Sequence, residues 1–118
     1  LNEKIQYVGE LAEDQLSDFY GPAKALLYPI EWEEPFGLVV TESMACGTPV
    51  IAYRRGSMPE LIEDGKTGFV VDSKIDLMVE AMRKIDQIDR KLVRQRVEEK
   101  FSKEKMVENY EKAYYKLL

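Results

Sequence analysis

Two glutamates eight positions apart, Glu34 and Glu42, flank Pro35-Phe36-Gly37 in a mostly apolar stretch of the sequence. We expect Glu34 in a loop before a helix, and Glu42 about a turn and a half inside that helix. The first N–H groups of a helix have no partner within the helix and attract anions. Amides for a phosphate, with carboxylates on either side for hydroxyls, match a sugar linked to a nucleoside diphosphate.

Simpler interpretations of both glutamates stay open at this point. Two glutamates at this spacing arise by chance in many acidic chains, and Glu34 follows Glu31 and Glu33, which is typical of a solvated acidic loop. Glu42 is equally consistent with an ion pair to a lysine or arginine. The helix that holds Glu42 is apolar nearly all round, which predicts a buried helix with Glu42 buried or on the floor of a cleft.

Short apolar runs alternate with helical patterns, and this alternation predicts an α/β fold with a Rossmann-like parallel sheet flanked by helices. The predicted strands are Ile5–Val8, Ala25–Tyr28, Val50–Tyr53 and Phe69–Val71. The predicted helices are Asp14–Tyr20, Gly37–Cys46, a short one between Ser57 and Gly65, Lys74–Ile88, Lys91–Phe101 and Lys103–Leu118. Gly47 is expected as a left-handed cap, Pro49 as a stop signal, and Ser57 and Ser102 as N-caps.

Composition excludes several classes of function. Residues 1–82 carry six Lys and Arg against 15 Asp and Glu, a net charge of −9, which argues against nonspecific nucleic-acid binding. The more basic segment 83–118 is interpreted as solvated helix faces, and peripheral membrane contact of the parent protein is left open. The chain has one cysteine and no histidine, so we expect no zinc site and no disulfide within the chain. We expect a cytoplasmic protein, since no apolar run is long enough for a membrane helix.

Other side chains have structural explanations of their own. Cys46 has no histidine to activate it and is expected to be a small core residue. Trp32 and Tyr53 could stack on a nucleobase, but packing in the core or at its rim explains them at least as well. Glu60 and Asp64 fit cap and turn chemistry.

The residue types along the central segment are a more specific signal than the spacing of its two glutamates. The stretch EPFGLVVTESMACGTPVIAYRRGSMPELIEDGKTGFVV (Glu34–Val71) resembles the retaining glycosyltransferases of group 1, also called family 4, which have the GT-B fold. Three sequence blocks match in order: Glu34–Ala52, the turn Gly56–Glu60, and the final segment Asp64–Val71. The preceding segment and the closing helix follow the same pattern, so the resemblance covers essentially the whole chain.

The resemblance implies a role for each matching residue. Glu34 is expected to be the catalytic glutamate near the reacting carbon of the donor sugar, and Glu42 to bind the ribose hydroxyls. The donor would also meet backbone N–H groups of Phe36, Gly37, Leu38 and Val39. Family enzymes transfer a glycosyl unit with retention from UDP-, GDP- or ADP-sugars, with no cofactor and generally without an essential metal.

The resemblance also implies that residues 1–118 are part of a donor-binding domain, the later part of the C-terminal domain of a GT-B fold. The N-terminal acceptor domain and the first βα units, which carry cations for the diphosphate, are absent from this sequence. We therefore expect the isolated piece to be inactive and to self-associate through an uncovered sheet edge. Arg54 and Arg55 could replace part of the missing positive charge. A non-catalytic module of the same fold, which binds a nucleotide sugar or another protein, stays open as the alternative.

Overall fold

Strands and helices alternate along residues 5–6, 13–33 and 37–100, which are the residues described by the computed structural model. The strands are β1 (Leu26–Tyr28), β2 (Val50–Tyr53) and β3 (Gly68–Val71). The α-helices within these ranges are α1 (Glu13–Tyr20), α2 (Leu38–Ala45), α3 (Met58–Leu61), α4 (Ile75–Arg83) and α5 (Arg90–Lys100). A single 3-10 turn, Ile85–Gln87, lies between α4 and α5.

The three strands form a parallel sheet in the order β1-β2-β3. Leu26 pairs with Val50, which pairs with Gly68 on its other side. All four residues of β2 are buried, and because side chains alternate across a strand, both faces of this central strand must be covered. The predicted fold class, a parallel α/β sheet flanked by helices, is confirmed.

Helix α2 lies at the centre of the packing. It contacts β1 and β2 of the sheet, α1, and most extensively α5. Val40 and Met44 of α2 and Val93 of α5 are completely buried, so these helices share one apolar core with the sheet. Burial of side chains of this size contributes roughly 1.5–3 kcal/mol each, which makes this contact a main source of the stability of α2.

Arg90 joins the C-terminal ends of α1 and α2. Its guanidinium donates to the carbonyl oxygens of Gly47 (2.8 Å), Ala23 (2.8 Å) and Gly21 (2.7 Å), and to the hydroxyl of Thr48 (2.9 Å). The C-terminal ends of helices leave carbonyl groups without partners and favour positive charge. Arg90, at the start of α5, therefore donates hydrogen bonds to backbone carbonyl groups in the segments that follow α1 and α2.

Most predicted element boundaries are confirmed within a few residues, and Gly47 has the expected left-handed backbone, with φ of +76°. The single helix predicted over 74–88 is wrong, because α4 ends at Arg83. Ile85 and Ile88 are both buried beyond that end, and the Asp89 carboxylate accepts a hydrogen bond from the N–H of Lys91 (2.9 Å), which starts a new helix. Ile5 forms an isolated β-bridge and Gln6 belongs to no strand, whereas residues 7–8 of the first predicted strand and the closing helix lie outside the described residues.

Candidate functional site

The site predicted from the sequence lies where β1 leads into α2. Ligands of open parallel sheets bind at the edge formed by the carboxyl ends of the strands. β1 ends at Tyr28, and the next described element along the chain, α2, begins at Leu38. The N-terminus of α2 therefore follows the carboxyl end of β1.

Gly37 precedes α2 and has a left-handed backbone, with φ of 61° and ψ of 47°. A Cβ at this position would lie 2.7 Å from both Leu61 Cδ1 and Met58 Cε, so the missing side chain makes room for α3. Gly37 is itself buried. The left-handed backbone and the close approach of α3 are the reasons that the structure gives for glycine at this position.

The first two residues of α2 are exposed. Leu38 is 68% exposed and Val39 is 39% exposed. Within residues 5–6, 13–33 and 37–100, no hydrogen-bond acceptor takes the N–H group of either residue. The expectation of a helix buried all round is therefore wrong at this end, where two apolar side chains are exposed and two backbone N–H groups have no acceptor among the described residues.

Glu42 is exposed, so the expectation that it is buried is wrong. It forms no ion pair with any residue in the described ranges, which removes the ion-pair interpretation for that part of the chain. Burial raises the pKa of the Tyr20 phenol, and the negative charge of Glu42 and the nearby Cys46 raise it further. Glu42 therefore has no ion-pair partner in the part of the chain that the structure describes, and it acts on a phenol that stays protonated at neutral pH.

Glu34, the predicted catalytic residue, lies outside the described residues, together with Pro35 and Phe36. Of the residues predicted to bind the donor, the structure describes Gly37, Leu38, Val39 and Glu42. The first three are consecutive at the start of α2, and Glu42 follows on the same helix. The roles of all six residues stay predictions.

Both arginines after β2 already have carboxylate partners. Arg54 Nε lies 3.5 Å from Asp72 Oδ1, and Arg55 Nη1 lies 3.9 Å from Glu33 Oε1. These contacts argue against the idea that the two side chains replace missing cations at a diphosphate. No feature of the sequence indicated the pairing of Arg55 with Glu33, because Glu33 was interpreted as part of a solvated acidic loop.

The remaining candidates have structural roles or no described role. Tyr53 is buried in the core, as the sequence favoured, and Trp32 is 63% exposed. Cys46 is half-buried and ends α2. Asp64 accepts a hydrogen bond from the N–H of Val70 (3.0 Å), which confirms its assignment to turn chemistry.

A surface hollow of about 580 Å³ lies at the opposite end of α2 from the candidate site. It is lined by Gly21, Cys46, Gly47, Arg90, Lys91, Arg94, Gln95 and Glu98. Arg90 donates hydrogen bonds to the chain around the ends of α1 and α2, and Arg94 donates to Glu98. We therefore assign this hollow to the packing of α5 rather than to a ligand.

Neither a metal site nor a membrane span is found where the structure can be described. No cluster of three or more Cys, Asp or Glu side chains in those ranges is arranged to hold a metal ion. Among the described helices, none has the length and apolar character to cross a bilayer.

Comparison with known proteins gives the family of the sequence. The family described as Glycosyl transferases group 1 matches residues 1–111. Among the relatives, the N-acetyl-alpha-D-glucosaminyl L-malate synthase of Bacillus anthracis is 32% identical over 130 residues, which covers 100% of this chain and 32% of that protein. A D-inositol 3-phosphate glycosyltransferase of Streptomyces bingchenggensis (strain BCW-1) is 39% identical over 71 residues, covering 60% of this chain and 15% of that protein.

A solved structure is similar over nearly the whole chain. The sucrose-phosphate synthase of Thermosynechococcus elongatus superposes with a TM-score of 0.79 at 30% sequence identity, covering 95% of this chain and 30% of that one. The chain thus spans about a third or less of the length of these relatives. The similarity supports the predicted GT-B type of parallel sheet.

Proposed function

Because this chain belongs to the glycosyl transferases of group 1, we propose that its parent protein is a retaining glycosyltransferase of the family 4 type. The donor is a UDP-, GDP- or ADP-sugar, and the product is a polysaccharide, glycolipid or other glycoconjugate. The observation that carries this proposal is the start of α2, where two backbone N–H groups without an acceptor among the described residues and an exposed glutamate with no described ion pair lie on one helix. The relatives named above support the transfer of a sugar to a small hydroxyl-bearing or phosphorylated acceptor.

Each group at the start of α2 has a distinct task in this proposal. The N–H groups of Leu38 and Val39 donate to the diphosphate, as the end of a helix favours an anion. Glu42 accepts hydrogen bonds from the two ribose hydroxyls, which gives the exposed carboxylate its partners. Glu34 lies beside the sugar, where its charge stabilises the positive charge that develops as the nucleoside diphosphate leaves.

The acidic surroundings impose a further requirement. Residues 1–82 have a net charge of −9, which repels a dianionic diphosphate. Arg54 and Arg55 are engaged by Asp72 and Glu33, so we expect the neutralising cations to come from other segments of the parent protein. For the same reason we expect the isolated 118 residues to be inactive, and the N-terminal domain of the parent to complete the site.

A thermal-shift screen of the full-length protein tests this proposal. A ligand that binds only the folded state stabilises it by about 2.7 kcal/mol at 100 times its Kd. We expect one class of nucleotide sugar to raise the melting temperature, and the matching free sugar without a nucleotide to leave it unchanged. If UDP-, GDP- and ADP-sugars at millimolar concentration all leave the melting temperature unchanged, the proposal is wrong.

A further inference from the structure

Glu33, the residue before the predicted catalytic Glu34, is tied to another loop. Its Oε2 accepts a hydrogen bond from the backbone N–H of Gly56, and its Oε1 lies 3.9 Å from Arg55 Nη1. Gly56 and Arg55 belong to the turn that follows β2, whereas Glu33 belongs to the loop that follows β1. One carboxylate therefore bridges two neighbouring loops.

The hydrogen bonds of Arg55 extend this link to the segment after the third strand. Arg55 Nε donates to Ser73 Oγ (3.3 Å), which follows β3. Because the strands are parallel, their carboxyl ends lie along one edge of the sheet, and Glu33, Arg55 and Ser73 join the three loops of that edge in order. The loop that leads to Glu34 is thereby connected to the two loops beside it.

These contacts contribute little to global stability. The side chains of Glu33 and Arg55 are 71% and 42% exposed, and ion pairs between exposed side chains are weak because water screens them. The hydrogen bond from an amide to an ionised carboxylate is stronger and directional, so it can hold a loop in one place. The cluster is therefore suited to fixing the local geometry of the loop rather than to holding the fold together.

We propose that Glu33 is a positioning residue, whose carboxylate anchors the loop after β1 to the turn after β2 and so fixes the end of the segment that precedes the predicted catalytic Glu34 in the sequence. This inference rests on the proposed function, since it concerns the transfer reaction of the same site. It assigns to the glutamate next to the catalytic one a role through Gly56 and Arg55, without contact to the substrate.

Steady-state kinetics of the full-length protein test the positioning role. Small misplacements of a catalytic group are costly, so we expect Glu33→Ala to lower kcat between about 10- and 100-fold, with KM and melting temperature nearly unchanged. Glu33→Gln should restore most of kcat, because its amide oxygen still accepts from Gly56 N–H. The control is Glu31→Ala, which removes an exposed glutamate of the same loop. Wild-type kcat in Glu33→Ala, or a loss that follows a lowered melting temperature, overturns the proposal.

Hydrogen exchange tests the contact of Glu33 with the turn after β2 without relying on activity. In Glu33→Ala, peptides that contain Gly56 and residues 29–33 should exchange faster than in the wild type, whereas Glu31→Ala should leave exchange unchanged. Equal exchange in the two variants overturns the proposal. If the wild type transfers no sugar from any donor, the proposed function fails, and the tie between the loops is judged on exchange alone.

Discussion

Replacing Glu34 by glutamine in the full-length protein is expected to lower kcat by about 100- to 1000-fold, the range seen when one preorganised electrostatic group is removed from an active site. Glutamine keeps the shape of the side chain and one acceptor oxygen, but it removes the negative charge. That charge is needed only as the diphosphate departs and positive charge develops on the sugar, so the affinity for the nucleotide should change little.

Initial rates of transfer and a titration with the nucleoside diphosphate separate these two effects. Glu31→Gln is the matched control, since it neutralises an exposed carboxylate three residues earlier in the sequence. We expect wild-type kinetics for this control. A Glu34→Gln enzyme with normal kcat, or one that loses rate and nucleotide affinity in equal proportion, would contradict the assigned role.

Gly68→Ala is expected to destabilise the protein by about 3 kcal/mol, the upper end of the usual cost of overpacking. Gly68 begins β3, and a Cβ on it would overlap the carbonyl oxygen of Val50 on the neighbouring strand. The same atom would lie 3.1 Å from Val50 N and 3.0 Å from Ile62 Cγ2. Backbone in a sheet cannot move aside without breaking its hydrogen bonds, so the pairing of β2 with β3 would be lost locally.

Denaturant unfolding of the full-length protein measures this cost. Gly65→Asn is the control, because Gly65 has φ of +83°, nothing lies within 4 Å of its Cβ position, and asparagine tolerates left-handed backbone. We expect the control to lose about 1 kcal/mol or less. Equal losses in the two variants would show that strand contact does not dictate glycine at position 68.

The fold could be predicted because its local signals agree with one another. Apolar runs bounded by turn residues located β1, β2 and β3, and Gly47 with Pro49 fixed the end of α2. The end of α4 at Arg83 was missed because Ile85 and Ile88 fit the helical period, whereas in the structure a 3-10 turn begins at Ile85.

The candidate site was only partly predictable, because its surroundings come from residues distant in sequence. The apolar composition of α2 correctly implied a buried helix body, but it could not show that Leu38, Val39 and Glu42 lie at the exposed part of its surface. The sequence also did not indicate that Glu33 accepts a hydrogen bond from the N–H of Gly56. That contact depends on how two loops meet at the edge of the sheet.

Isothermal titration of the full-length protein with its preferred nucleoside diphosphate, compared with Glu42→Ala, tests the central claim most directly. Hydrogen bonds to a charged acceptor contribute about 1.5–3 kcal/mol, so loss of Glu42 should weaken binding by roughly 10- to 150-fold. Glu99→Ala, which removes an exposed glutamate from α5, should bind as the wild type does. If Glu42→Ala also binds with wild-type affinity, the start of α2 does not hold the nucleotide as proposed.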